Sequence, residues 1–316
     1  MPQLHLNPHY SAEAPYGPAQ RAALNAADFG PIRSEITSWP GYAPTPLIPL
    51  PGLAKALGVG AVWCKHEGAR FGVGSFKPTG PTYAMTEVLR GELSRMAGHP
   101  VSTAQLMADD NAGPNRSLVE LAGQLTFTAA TSGNHGRAIA WGARLFGCNA
   151  VIYFGDAVSA GRERAIAALG ARTVRVPGSH DDAVRQAVAD SEANGWFELS
   201  ASSPAGYPTL QQAVLRGYAL SADELTRQWA AASGATARGA APTHLLVPAG
   251  SGRFAGATCG HLWEHWGAAR PRVLSVEPDA SCCVFDSAVA GERRKAKGEG
   301  PAVLDGLIVE DVASVA

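Results

Sequence analysis

Three short segments of this 316-residue chain hold residue types that can do chemistry. The first is RFGVGSFKPTG, residues 70–80, where Lys77 follows two glycines, a serine and a phenylalanine and precedes Pro78. Glycines and a proline around one lysine suit a turn that projects the amine into a cleft. A lysine desolvated there has a lowered pKa and can form a Schiff base with a carbonyl compound. The same residues would also suit a surface loop with a solvated lysine. The second segment is ATSGNHGRA, residues 130–138, a strand-to-helix turn that displays Ser132, Gly133, Asn134 and His135. Amides at a helix N-terminus receive a carboxylate or phosphate. A plain β-α turn, with Gly133 and Asn134 supplying unusual backbone angles, would use the same letters.

The third segment is PAGSGRFAG, residues 248–256, a glycine-rich turn in which Gly250, Ser251, Gly252 and Arg253 suit a phosphate. Arg253 either adds a charge contact or is solvated. The segment also reads as G-x-G-x-x-A, with Glu277 ending the next strand. That is the layout of a dinucleotide fingerprint, so a nicotinamide-dependent oxidoreductase is an alternative. A fourth pattern, HLWEH with His261, Glu264 and His265, matches the H-x-x-E-H of zinc peptidases. It falls on a helix whose Leu262, Trp263 and Trp266 supply core packing, and no metal is expected. The Cys282-Cys283 pair reads as small buried apolar residues.

The elements that must position these turns follow from hydrophobic spacing. Residues 125–130, 149–154, 172–176 and 196–200 read as strands, and 135–147, 159–170 and 180–195 as the helices between them. A helical stretch over 209–229 and a small-residue linker over 230–242 follow. A strand over 243–250, a helix over 252–267 and a strand over 272–278 resume the rhythm. Alternation of this kind predicts an α/β fold in two lobes, with parallel or mixed sheets flanked by helices. One lobe is a small α/β domain of residues 95–215. The other, larger, combines 1–94 with 216–316. A ligand is expected in the cleft between them, at the carboxyl ends of strands.

Composition narrows the function classes. With 46% hydrophobic residues and a formal charge of −1, the chain is not of disordered composition. It lacks the basic excess of nucleic-acid or membrane-surface proteins, so neither partner is expected. Glycine (36) and proline (22) exceed average usage without a collagen-like period, which points to many tight turns and backbone-lined pockets. Five scattered cysteines without metal-type spacing, no apolar leader and no 18-residue apolar run predict a soluble, cytoplasmic protein. The sequon Asn115-Arg116-Ser117 is then accidental.

In their order and spacing, the lysine turn, the Ser-Gly-Asn-His turn and the late glycine turn resemble the pyridoxal-phosphate enzymes of fold type II, the tryptophan synthase β-like group. Within that group the likeness is greatest to the diaminopropionate ammonia-lyases. It runs from about residue 40 to 309 through WCKHEGARFGVGSFKPTGPTYAM, GNHGRAIAWGARLFGCNAVIYF, ERAIAALGARTVRV, PTHLLVPAGSGRFAGA and LSVEPDASC. The resemblance implies pyridoxal 5'-phosphate as cofactor, held covalently by Lys77, which also takes the α-proton. Phe76 would pack beside its ring, Asn134 bond its phenolic oxygen, and Gly250, Ser251, Gly252 and Arg253 hold its phosphate. Ser132, Gly133, Asn134 and His135 would receive the substrate carboxylate.

The implied reaction is elimination from a small β-substituted amino acid such as 2,3-diaminopropionate, giving a 2-oxo acid and ammonia, in a homodimer. The alternatives are a serine/threonine dehydratase-like or β-replacement enzyme, or a catalytically impaired relative. Ser132 stands where these ammonia-lyases carry an aspartate, and Ala201 where a second is expected. A hydroxyl is a far poorer base than a carboxylate near neutral pH. That puts diaminopropionate, and action on both isomers, in question. The resemblance also implies a chain continuing for tens of residues beyond the match, with a group that faces the pyridine nitrogen.

Overall fold

In the computed structural model the described residues are 3–107, 116–131, 133–200, 208–233, 241–296, 305–309 and 311–313. Two short helices, α1 (Pro18–Ala23) and α2 (Ala26–Thr37), lead to the hairpin-like pair β1 (Leu47–Pro49) and β2 (Trp63–Lys65), joined through α3 (Pro51–Leu57). The pair is antiparallel, with Ile48 opposite Cys64. After the Lys77 turn come α4 (Pro81–Ala97), α5 (Ala104–Met107) and α6 (Arg116–Ala122).

The next stretch is regular. β3 (Thr126–Ala130), α7 (Asn134–Phe146), β4 (Asn149–Phe154), α8 (Ala160–Ala167), β5 (Arg172–Arg175), α9 (His180–Asn194) and β6 (Phe197–Glu198) alternate without interruption. They build a parallel sheet of order β5-β4-β3-β6. Its central strands are buried on both faces, as a parallel sheet covered by helices requires: Phe127, Ala129, Ile152 and Phe154 on one face, Ala130, Val151 and Tyr153 on the other. In α7, the apolar residues Ala138 and Ile139, Ala143 and Phe146 recur at helical spacing and face this core. Gly136 and Gly142 let α7 approach its neighbours. A Cβ at the first would meet Thr131 at 2.6 Å, and at the second Thr82 at 2.9 Å.

The remainder is α10 (Pro208–Ser233), β7 (His244–Pro248), α11 (Arg253–Trp266), β8 (Arg272–Val276) and α12 (Cys283–Ala290). β7 and β8 pair in parallel, His244 with Arg272 through Pro248 with Val276. One continuous core runs through Ile36, Trp39, Leu89, Phe127, Phe146, Val214 and Tyr218, so it joins α2, α4, α7 and α10 with the sheet.

Two expectations change. The strand over 196–200 shrinks to Phe197–Glu198, because Ser200 turns its hydroxyl onto the Ala130 amide (2.8 Å) and its own amide onto Glu198 (2.7 Å). The stretch 230–233, read as the start of a linker, continues α10, since alanines favour helix where no breaker intervenes. The rest of that linker to residue 240 lies outside the described residues. Among the described residues no helix is long and apolar enough to cross a membrane.

Candidate active site

Lys77 opens a single 3-10 turn, Lys77–Thr79, immediately before α4. The turn lies hard against α10. A Cβ at Gly217 would run into the Thr79 carbonyl, and one at Gly80 into the Tyr218 ring. The Lys77 amine sits 5.0 Å from the Phe76 ring centroid and 5.5 Å from that of Tyr218. Phe76 is itself stacked on Phe254, at 3.9 Å and 25°, with Tyr218 edge-on to both. Burial, reinforced by the Arg253 guanidinium, lowers the Lys77 pKa to about 8. Among the described residues no carboxylate pairs with it. The lysine is therefore no solvated loop residue but a cation made easy to neutralise.

The second turn faces this amine. Gly133 is extended and caps α7, whose first residue, Asn134, stays exposed to the cleft. His135 is buried, and its Nε2 donates to the Leu199 carbonyl at 2.6 Å. That bond leaves the lone pair on Nδ1, which is buried and has no hydrogen-bond partner. Burial, then the nearby Lys77, pushes the His135 pKa down to about 3, so the ring is neutral. Ser132 lies outside the described residues, as does Ala201.

The third turn joins β7 to α11. Gly252 caps α11 in the left-handed region (φ 85°), so the amides that follow point into the cleft. Arg253 is buried rather than solvated, facing Tyr218 and Glu198. Residues 305–309 and 311–313 cross this turn. Ala313 donates to the Ser251 carbonyl (2.9 Å), and Ser281 Oγ donates to the Val309 carbonyl (2.6 Å). Glu277, the acid of the dinucleotide-like pattern, accepts instead from the Val284 and Phe285 amides at 2.9 and 2.8 Å, capping α12. The H-x-x-E-H pattern is absorbed into packing, with His261 edge-on to Phe29 and 4.0 Å from Asp223. Among the described residues no group of three His, Cys, Asp or Glu could hold a metal.

One cleft of about 1370 Å³ gathers Phe76, Lys77, Gly133, Asn134, His135, Gly250, Ser251, Gly252 and Arg253. It also contains residues that sequence reading did not select: Tyr218, Phe254, Arg137 and Leu307–Val309. Phe254 lay inside the third motif. Tyr218 gave no local signal beyond its glycine neighbour, because its role depends on a contact 141 positions away in the chain.

Residues 38–315 match the family described as PALP, pyridoxal-phosphate dependent enzyme. The chain belongs to this family. The diaminopropionate ammonia-lyase of Escherichia coli (strain K12) is 32% identical over 267 residues, 84% of this chain and 63% of the relative. That of Salmonella typhimurium (strain LT2) is 33% identical over 270 residues, covering 85% and 64%. The chain thus spans less than two thirds of the length of these relatives. The crystal structure of the E. coli enzyme in complex with D-serine superposes with a TM-score of 0.79 at 29% identity, covering 98% of this chain and 72% of that one. The same enzyme with an aminoacrylate-PLP azomethine reaction intermediate gives 0.76 at 28%, covering 98% and 71%. The processed form of threonine deaminase isoform 2 from Solanum lycopersicum, at 0.63 and 20% identity over 99% and 77%, shows the shared fold alone. That fold is the tryptophan synthase β-like one of pyridoxal-phosphate enzymes.

The residues fit the family's cofactor, pyridoxal 5'-phosphate. Its carbonyl needs a lysine amine that loses its proton readily, and Lys77 is desolvated and, among the described residues, faces no acid. Its phosphate needs backbone amides and positive potential, and both are present at the Gly252 end of α11 beside Arg253.

Proposed function

We propose that this protein is a pyridoxal-phosphate-dependent lyase that removes ammonia from a small β-substituted amino acid, of which 2,3-diaminopropionate is the type, by α,β-elimination to a 2-oxo acid. The observation that carries the reading is a desolvated Lys77 amine set between the Asn134 turn and the Gly250–Gly252 turn in one cleft. It is supported by a third of the residues shared with diaminopropionate ammonia-lyases.

The cofactor, when bound, supplies an electron sink for the bonds at the substrate's Cα. Lys77 would hold it through Nζ and, once displaced, accept the α-proton on the same atom; a pKa near 8 keeps a useful fraction of neutral amine close to neutral pH. Phe76 would pack beside the ring, Asn134 would donate to the phenolic oxygen, and Gly250, Ser251 and Gly252 would present amides to the phosphate with Arg253 adjacent. Ser132, Gly133, Asn134 and His135 receive the substrate carboxylate through their turn. Ser132 is proposed as a catalytic residue from its position in the sequence alone, and its hydroxyl favours one substrate isomer over two. Serine/threonine dehydration or β-replacement is the second reading, favoured by that same serine.

The division into a small domain, 95–215, and a large cofactor-binding domain, 1–94 with 216–316, is proposed on the sheet pattern. All four strands of the parallel sheet fall within 126–198 and the other two pairs outside it. A homodimer in the cytoplasm is proposed, the compartment being supported by five unpaired cysteines.

The test is reconstitution with pyridoxal phosphate. We expect a near-visible absorbance band, borohydride trapping at Lys77 seen by peptide mass spectrometry, and release of ammonia and 2-oxo acid from at least one of D- and L-diaminopropionate, serine and threonine. The Lys77→Ala variant should show neither band nor products. A parent that stays colourless, or a Lys77→Ala variant that behaves like it, overturns the proposal.

A further inference from the structure

Beneath the Lys77 turn lies a buried cluster of four charges. Arg70, 1% exposed, donates from Nη1 and Nη2 to the two carboxylate oxygens of Glu224 at 2.5 and 2.8 Å, and from Nε and Nη2 to those of Glu67 at 2.9 and 2.8 Å. Lys65 Nζ donates to Glu224 Oε2 (2.6 Å), to the Thr45 carbonyl (2.6 Å) and to Gln228 Oε1 (2.8 Å). Tyr42 and the Thr45 amide complete the shell of Glu224, while the Ser221 hydroxyl donates to Glu67 at 2.9 Å. Two cations meet two anions, so the cluster is neutral. Every carboxylate oxygen in it is bonded.

We propose that Arg70 and Glu224 are positioning residues for the Lys77 amine, fixing the segment that carries it against α10. The inference rests on the assignment of Lys77 made above. Tyr218, Ser221, Glu224 and Gln228 recur at three- and four-residue steps along α10 and so share one face. The upper end of that face touches the Lys77 amine and the lower end holds Arg70. The short segment from Arg70 to Lys77 is not relaxed. Phe71 is the only non-glycine residue with positive φ (49°) among the described residues, followed by Gly72 and Gly74 at 68° and 90°.

A phenylalanine in that region is strained and persists only where its surroundings over-determine it. Its ring is packed at 4.7 Å on Trp141 and 5.8 Å on Trp39, while the guanidinium one residue earlier is clamped by four hydrogen bonds to carboxylates. Buried ion pairs of this kind are seldom superior to apolar packing for stability. Their distinctive product is orientation: a bidentate guanidinium accepts one geometry. Here that geometry sets where the segment leading to Lys77 begins.

The two roles separate experimentally. Replacing both partners at once, Arg70→Met/Glu224→Met, removes one charge of each sign and leaves Lys65 and Glu67 to balance each other. The variant should stay folded, with a thermal midpoint within a few degrees of the parent. The readout is the pH dependence of reductive methylation of Lys77 in the cofactor-free protein, followed by peptide mass spectrometry. We expect its midpoint to rise by one pH unit or more toward that of an ordinary lysine. In the loaded enzyme kcat should fall at least tenfold with KM within threefold.

If the double variant does not fold, Arg70→Lys and Glu224→Gln take its place. They keep hydrogen-bonding groups but break the fork, and a rise of at least half a unit is expected. A Lys77 midpoint unchanged in whichever of these variants folds would overturn the proposal, whatever happens to stability. Failure of the functional reading is distinct: the parent would then take up no pyridoxal phosphate although the methylation midpoint still moved.

Discussion

The four-stranded sheet and the turn that carries Lys77 are held by opposite means. The sheet is regular, largely apolar and local in sequence: each strand pairs with one reached through a single helix or already in place, and its fully buried residues include Phe127, Ala129, Ile152 and Phe154. The turn has almost no regular structure. It is fixed by ions, by left-handed residues and by direct backbone contact with a helix far along the chain. A sheet of this kind tolerates local change as lost stability. The turn converts change into misplacement of one amine.

Several substitutions would break or sharpen that contrast. Phe127→Ala should cost the most, about 3–5 kcal/mol of unfolding free energy by denaturant titration, as a cavity opens in the sheet core. While the protein is folded, the Lys77 methylation midpoint should not move. Gly217→Ala should do the reverse. Its Cβ meets the Thr79 carbonyl, and overpacking of this sort costs about 1–3 kcal/mol, yet borohydride trapping at Lys77 should fall at least tenfold. Equal trapping in the two variants would abolish the distinction.

The protonation of His135 links the regions, since its Nε2 bonds the Leu199 carbonyl beyond β6 while its ring borders the cleft. Its folded pKa, about 3, lies below the ordinary 6.5. The unfolded chain therefore takes a proton the folded one refuses, and stability falls as pH drops from 6.5 toward 3. Between pH 7 and 5 this amounts to about 2 kcal/mol. In His135→Gln the slope of stability against pH over that interval should be shallower by the same amount. A slope equal to that of the parent would mean that the ring titrates in the fold as it does in the unfolded chain. The smallest effect is expected at Glu163, which pairs with Arg175 at 2.6 Å on the partly exposed flank of β5. Glu163→Gln should change stability by less than about 1 kcal/mol and leave trapping unaltered.

The same contrast explains what could be read from the sequence. The strands and helices from 126 to 194 follow from apolar spacing and glycine stops such as Gly147 and Gly195, because their partners are close in the chain. The glycine turns at 133 and 250–252 were legible for a similar reason: a strand, a turn and a helix are contiguous. Lys77 could be singled out by its glycines, but not its burial, which needs Tyr218 and Phe254. The charge cluster was illegible. Lys65, Glu67 and Arg70 look like solvated loop residues until Glu224, more than 150 positions later, is placed between them. The choice left open at Arg253, charge contact or solvation, could not be made from the sequence for the same reason, its surroundings being Tyr218 and Glu198 rather than its own loop.

The contact between Thr79 and Gly217 has a temporal side. Residue 77 leaves the ribosome 140 residues ahead of residue 217, a wait of about ten seconds at ordinary rates of synthesis. All four strands of the parallel sheet are made during that interval. The strands of the scaffold are thus all synthesised before the seat for the reactive amine.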